Sequence, residues 1–167
     1  GGVAWLRPSP GTGVLYLLRT GVGLSAMTCF FYALANLPLA DGMLLKMTAP
    51  VFMPVIAVLW LGERATRAAV VAVPVGLAGV VLVVDPTGEV ALASLIGLAG
   101  GVLAAWAKVT VRRLTRTEPA SRVVMGFALL ATVITAPFAL WTWQAPTLLQ
   151  WGLLVAIGLC ASGGQWL

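Results

Sequence analysis

Six long apolar stretches alternate along the chain with short segments that carry prolines, glycines and charged residues. After a turn at 14–18, the apolar stretches cover residues 20–37, 40–61, 68–84, 90–111, 123–143 and 148–167. A helix rises ~1.5 Å per residue, so about 20 apolar residues cross the ~30 Å hydrocarbon core of a bilayer. The pattern therefore predicts an all-α integral membrane protein, a polytopic bundle of about six transmembrane helices.

Positive charges occur at every second junction between these stretches. Arginine and lysine lie before Thr20, within 62–67 and around 112–122, whereas the intervening junctions contain neither residue. Cytoplasmic loops of membrane proteins carry an excess of these residues. We therefore expect the segments before Thr20, 62–67 and 112–122 to be cytoplasmic, in a bacterial cytoplasmic (inner) membrane.

Composition agrees with lipid as the main solvent of the chain. Of its 167 residues, 60% are hydrophobic and only 9% are charged, with a net charge of +5. Soluble domains carry about 25% charged residues. The excess of positive charge is better explained by the orientation of the chain in the membrane than by binding of nucleic acid. No nucleic-acid partner is expected. The chain lacks an initial methionine and ends within an apolar stretch, so we expect a fragment of a longer protein.

The absence of histidine narrows the possible chemistry. The chain has no histidine, which excludes a Ser–His dyad and the HExxH metal motif. Paired carboxylates do not occur within the apolar stretches. The chain is therefore predicted not to be an enzyme, and neither a metal nor another cofactor is expected. The two cysteines, Cys29 and Cys160, fit small packing residues.

Small residues recur at four-residue spacing, which places them on one face of a helix. Such faces let membrane helices approach closely. One occurs in stretch 20–37 and comprises Gly21, Ser25, Cys29 and Ala33. Another occurs in stretch 90–111 and comprises Ala93, Gly97, Gly101 and Ala105. Both predict close helix packing.

A weak internal repeat relates the first and last stretches. GLCASGGQWL from Gly158 aligns with GLSAMTCFFY from Gly23, with three identities. These stretches are five helices apart and cross the membrane in opposite directions, as inverted repeats of secondary transporters do. The repeat predicts that 1–86 is the C-terminal part of one repeat and 87–167 the N-terminal part of the next, with three helices each.

The segment YALANLPLADGMLLKMTAPVFMPVIAVLWLGER resembles EamA-type permeases of the drug/metabolite transporter superfamily. The resemblance lies in the pair Ala33-Leu34, the mid-span Pro50, the ending Leu61-Gly62-Glu63, and the later segments GLAGVVLVVDP and LIGLAGGVLAAWAK. It extends over 19–167 and is strongest over 32–86. It implies a ten-helix inverted-repeat transporter that moves small metabolites by alternating access, with two helices on either side of those present here.

Lys46 is the sharpest candidate for function, because a charge inside a membrane span is costly. It could bind an anionic solute or pair with a carboxylate during transport, or its long side chain could reach the outer interface. Asp41, in the first turn of the same stretch, could cap that helix or act as an outer-gate partner of Lys46. Both alternatives stay open for each residue.

Other polar groups and a proline complete the predicted solute pathway. The full set of candidates is Lys46, Asp41, Tyr32, Thr48, Pro50 and Gln165. Tyr32, Thr48 and Gln165 could form hydrogen bonds with a solute or with neighbouring helices. Pro50 could mark a gating bend or an ordinary kink. Glu63 is expected to form a local cluster with Arg64 and Arg67.

The function predicted from these features is a secondary membrane transporter, a permease or exporter of a small-molecule solute. The alternative is a non-transporting membrane helix-bundle subunit that needs a partner. A homodimer is one open possibility for its assembly. The sequence does not indicate the substrate, the coupling ion or the direction of transport.

Overall fold

The computed structural model describes residues 12–64, 66–83, 91–141 and 145–164. Within these ranges the chain forms helices joined by short turns, and no strand occurs there. The helices are α1 (Gly13–Asn36), α2 (Leu39–Lys46), α3 (Ala49–Leu61), α4 (Arg67–Val83), α5 (Ala91–Leu114), α6 (Ala120–Trp141) and α7 (Leu148–Gly164).

The helical spans support the predicted polytopic membrane protein. Four described segments are long and apolar enough to cross a bilayer: Gly13–Asn36, Leu39–Leu61, Leu92–Leu114 and Ala120–Trp141. Two shorter apolar helices, Arg67–Leu82 and Leu148–Cys160, occupy the other predicted spans. Large apolar side chains are widely exposed, with Leu82 at 86% and Trp141 at 92%, as expected where lipid replaces water.

The first helix is longer than the sequence pattern predicted. It begins at Gly13 instead of Thr20, so the turn expected at 14–18 is helical. Arg19 therefore lies inside α1, and its guanidinium carbon sits 4.3 Å from the ring centroid of Phe127 in α6. A long cationic side chain near a helix end can keep its apolar stem in the bundle, so the charge did not end the helix.

The predicted second span is interrupted. Instead of one helix over 40–61, α2 ends at Lys46 and α3 begins at Ala49. Pro50 is the cause, because it offers no N–H to the carbonyl of Lys46 and its ring crowds that carbonyl. Pro50 is tolerated near the start of the new helix, where N–H groups have no intrahelical acceptor.

Helix α5 occupies the centre of the first compact unit, Gly1–Thr132, and packs against α1, α2 and α3. In the most apolar part of α5, 44% of the residues are buried, whereas in the corresponding part of α6 only 6% are buried. One buried cluster on it joins Leu37 and Leu45 to Ala93, and a second joins Tyr16 to Leu114 and Val123. The interrupted span formed by α2 and α3 thus packs against α5.

The small-residue face predicted on α5 is confirmed, since Ala93, Gly97, Gly101 and Ala105 are all buried. A Cβ on Gly97 would lie 2.7 Å from Cδ1 of Leu45. The face predicted on α1 is confirmed at Ala33, which is fully buried, whereas Gly21 and Ser25 are exposed. Cys29, another member of the predicted face, also packs closely, because its Cβ would lie 2.9 Å from a Cβ on Gly100.

The second compact unit, Val133–Leu167, contains the end of α6 and all of α7. Helix α7 starts with a reciprocal cap. The backbone N–H of Thr147 donates to Oε1 of Gln150 at 2.8 Å, and the N–H of Gln150 donates to Oγ1 of Thr147 at 3.4 Å. This capping box satisfies two N–H groups at the helix start and fixes where α7 begins.

Candidate functional site

The interruption between α2 and α3 is the irregular backbone nearest the middle of the Leu39–Leu61 span. At this point the carbonyl of Leu45 accepts two hydrogen bonds from Thr48, one from its N–H at 3.2 Å and one from its hydroxyl at 2.6 Å. Thr48 is only 7% exposed. Its hydroxyl therefore donates to the local backbone of the same span.

Gly101 of α5 packs directly against the interruption. A Cβ at position 101 would overlap the hydroxyl of Thr48 and lie 2.9 Å from the carbonyl oxygen of Leu45. Only glycine lets α5 approach the broken backbone this closely. The interruption is thus held against the most buried helix of the unit, and non-helical backbone at membrane depth requires such cover or a water-filled cavity.

Lys46 lies at the end of α2, beside the interruption and about 10 Å along the axis from Leu39. Its side chain is exposed, and Nζ lies 4.4 Å from the ring centroid of Phe30 in α1. Phe30 is itself about 9 Å along α1 from Asn36, where the turn to α2 begins. The ammonium thus rests on an aromatic face within the span, in a cation–π geometry.

The remaining candidates lie around this position. Asp41 is half-buried in the first turn of α2, where a carboxylate complements the helix dipole, although the N-cap residue is Pro38. No salt bridge joins Asp41 to Lys46 in the described part of the chain. Tyr32 is exposed on α1, and its backbone carbonyl accepts a bond from Asn36 at 2.8 Å. Pro50 is exposed, and Gln165 lies outside the described residues.

At the other end of the span, the motif Leu61-Gly62-Glu63 has a clear structural role. Gly62 adopts φ 66°, a left-handed conformation that ends α3. Glu63 then pairs with Arg112 at 3.0 Å and with Arg116 at 2.5 Å. The local cluster expected with Arg64 and Arg67 is wrong, because the turn after Gly62 directs the carboxylate toward α5.

A buried carboxylate lies near this end of the unit and was missed in the sequence. Glu118 is 3% exposed and pairs with Arg122 at 2.5 Å, between α5 and α6. Burial comes from the approach of the first turns of α1 and α6, where Tyr16 and Val123 are buried. No sequence signal identifies that approach.

The arginine-bearing segments that are expected to be cytoplasmic lie at one end of the first unit. The start of α1, the end of α3, the end of α5 and the start of α6 meet there through the Glu63 ion pairs and the cluster containing Tyr16, Leu114 and Val123. Trp60 and Trp106 also meet edge to face near this end, with centroids 5.4 Å apart. These contacts fit a helix bundle that crosses a membrane repeatedly, with an interrupted helix inside it.

The fold and the interrupted span define the class as a polytopic α-helical membrane protein. Comparison with known proteins gives the family, since residues 3–85 match the EamA-like transporter family. The chain belongs to this family, which confirms the resemblance to EamA-type permeases of the drug/metabolite transporter superfamily. No solved structure matches the chain.

Curated relatives include transporters with named solutes. The chain is 32% identical to a pseudopaline exporter of Pseudomonas aeruginosa, over 98% of the chain and 65% of the relative. It is 30% identical to a riboflavin transporter of Vibrio cholerae, over 90% of the chain and 52% of the relative. A riboflavin transporter of Brucella anthropi is 27% identical, over 91% of the chain and 56% of the relative. The chain thus spans between half and two thirds of these relatives.

Proposed function

We propose that this chain forms the central part of a secondary transporter that moves a small metabolite across a bacterial inner membrane by alternating access. The observation that carries the proposal is the interrupted span α2–α3, with Lys46 at its break. Discontinuous helices near the bilayer midplane form the solute sites of many secondary transporters. Relatives named as an exporter and as riboflavin transporters support the same function.

Lys46 is proposed to contact an anionic group of the solute. The ammonium is exposed and rests on Phe30, so the ring stabilises its charge while leaving it accessible to a second partner. A charge at this depth is costly unless it has a use or a partner. In the proposed pathway Asp41, Tyr32 and Gln165 supply further polar contacts, and Thr48 and Pro50 shape the break.

The proposed architecture is a pair of inverted repeats, with 1–86 from the first and 87–167 from the second. The cytoplasmic segments are those before Thr20, 62–67 and 112–122. Support for this orientation comes from the arginines, which gather at one end of the first unit. In this arrangement the ion pairs of Glu63 with Arg112 and Arg116 connect the two repeats at the cytoplasmic side.

The test is a flux measurement on the full-length protein reconstituted in liposomes. Liposomes are loaded with riboflavin, with pseudopaline, or with a bacterial metabolite extract, and released solutes are identified by mass spectrometry. The expected result is protein-dependent release of at least one solute, lost in Lys46→Ala and kept in the control Lys108→Ala, which alters an exposed lysine of α5. Absence of release from all three loads would favour the non-transporting subunit instead.

A further inference from the structure

Tyr16, Arg19 and Arg122 form a polar cluster at the junction of α1 and α6, away from the α2–α3 break. Tyr16 is 5% exposed and Arg19 lies three positions further along the same helix. Across the described residues, Tyr16 Oη, Arg19 Nε and Arg122 Nε are buried without a hydrogen-bond partner. Buried donors in native proteins are nearly always satisfied, so three together indicate an absent acceptor.

The charges of this cluster do not balance. Arg122 pairs with the carboxylate of Glu118. The guanidinium of Arg19 lies over the ring of Phe127, and no salt bridge joins it to a carboxylate within the described part of the chain. The junction therefore carries two guanidinium groups and one carboxylate, which is paired with Arg122. An unpaired charge in such surroundings is costly, and a negatively charged group would satisfy both the charge and the free donors.

A groove of about 390 Å³ adjoins the cluster. It is lined by Gly13, Tyr16 and Leu17 of α1 and by Arg122, Gly126 and Leu129 of α6. Gly126 makes the geometry possible, because a Cβ there would lie 2.6 Å from Cε1 of Tyr16. The walls are mainly apolar, and the polar groups are the hydroxyl of Tyr16 and the guanidinium of Arg122. The groove thus combines an apolar surface with a cationic group.

We propose that this groove binds an anionic phospholipid. Its phosphate would accept hydrogen bonds from Arg122 and Tyr16, and its acyl chain would lie along Leu17 and Leu129. The groove lies at the arginine-bearing end of the unit, which the charge pattern assigns to the cytoplasmic side, where anionic lipids concentrate. Basic pockets between transmembrane helices bind such headgroups.

The proposal is tested by native mass spectrometry of the full-length protein in a neutral detergent. Phosphatidylglycerol is titrated against phosphatidylcholine with the same acyl chains, and inorganic phosphate is added in a separate arm. The expected result is a phosphatidylglycerol adduct that phosphatidylcholine does not form and that phosphate at equal concentration does not displace. Arg122→Gln should weaken it at least about tenfold, the scale of one charge-assisted hydrogen bond. Tyr16→Phe should weaken it less.

Three further variants separate lipid binding from folding. Arg64→Gln removes an exposed arginine and should leave the adduct unchanged. Leu129→Trp fills the groove without changing a charge and should weaken the adduct, whereas Leu82→Trp, at an exposed position of α4, should not. Equal binding of both lipids, displacement by phosphate, or full retention in Leu129→Trp would overturn the proposal, even if Arg122→Gln failed to fold.

Discussion

The ammonium of Lys46 lies 4.4 Å from the ring centroid of Phe30, so the charged residue of α2 rests on the helix that precedes it. The pair joins the two arms of a helical hairpin, α1 and α2. A lysine free to reach the outer interface would need no aromatic platform there. We therefore propose that Phe30 positions the ammonium.

If Phe30 positions Lys46 for the solute, Phe30→Leu should raise the KM of transport. The expected increase is roughly 2- to 30-fold, the range of a cation–π interaction, with a smaller change in maximal rate. Phe30→Tyr keeps an aromatic face and should retain most of the affinity. The matched control is Phe31→Leu, which changes an exposed neighbouring ring. Equal KM values in the two leucine variants would contradict the prediction.

Gly101→Ala should destabilise the protein because its Cβ would overlap Thr48 and press on the carbonyl of Leu45. Overpacking of this kind costs roughly 1–3 kcal/mol. Thermal unfolding in detergent measures the effect as a lower Tm. Gly21→Ala is the control, since nothing lies within 4 Å of a Cβ there. A Tm for Gly101→Ala at or above that of the control would show that α5 does not pack tightly on the break.

Pro50→Ala should make the span between α2 and α3 more continuous. Alanine supplies the N–H that the carbonyl of Lys46 lacks in the native chain. Hydrogen exchange should consequently slow at the amides from Met47 to Val51, and maximal transport rate should fall if bending at the break is needed for alternating access. Pro54→Ala, inside α3, is the comparison. Unchanged exchange at these amides would show that Thr48 alone maintains the interruption.

Glu63→Gln should weaken the link between α3 and the end of α5. It removes the charge that pairs with Arg112 and Arg116. Both arginines are more than half exposed, so the expected loss is at most about 1 kcal/mol per pair, reduced further at high salt. The readout is the Tm at low and high salt. Arg64→Gln should leave both values unchanged, and an equal drop in that variant would contradict the assignment of partners.

The sequence predicted the class of fold and most helix positions because apolar length and turn residues are local properties. It also identified the face of α5 that carries Gly97 and Gly101, since four-residue spacing is visible in one dimension. It did not identify Phe30 as the partner of Lys46 or Arg116 as the partner of Glu63. Those contacts depend on how separate helices pack, which spacing along one helix does not encode.

Local patterns do not reveal the surroundings of two charged residues. The pattern predicts Arg19 before the first helix, although the aromatic ring of Phe127 on a distant helix accommodates its charge. Glu118 follows an arginine-rich stretch and is not among the predicted candidates, although its side chain is fully buried beside Arg122. In both cases a residue supplied by α6 determines the environment, and no feature near Arg19 or Glu118 reveals it.

The central position of α5 has a consequence for biosynthesis. Helices α1 and α2 pack mainly against a segment that leaves the ribosome roughly 80 residues after α1 does. At ordinary elongation rates this delay is on the order of ten seconds. During that interval the glycine-rich face that covers the α2–α3 break does not yet exist. The early helices therefore complete their packing only after α5 inserts, and nascent chains stalled before α5 should be captured by membrane quality-control proteases.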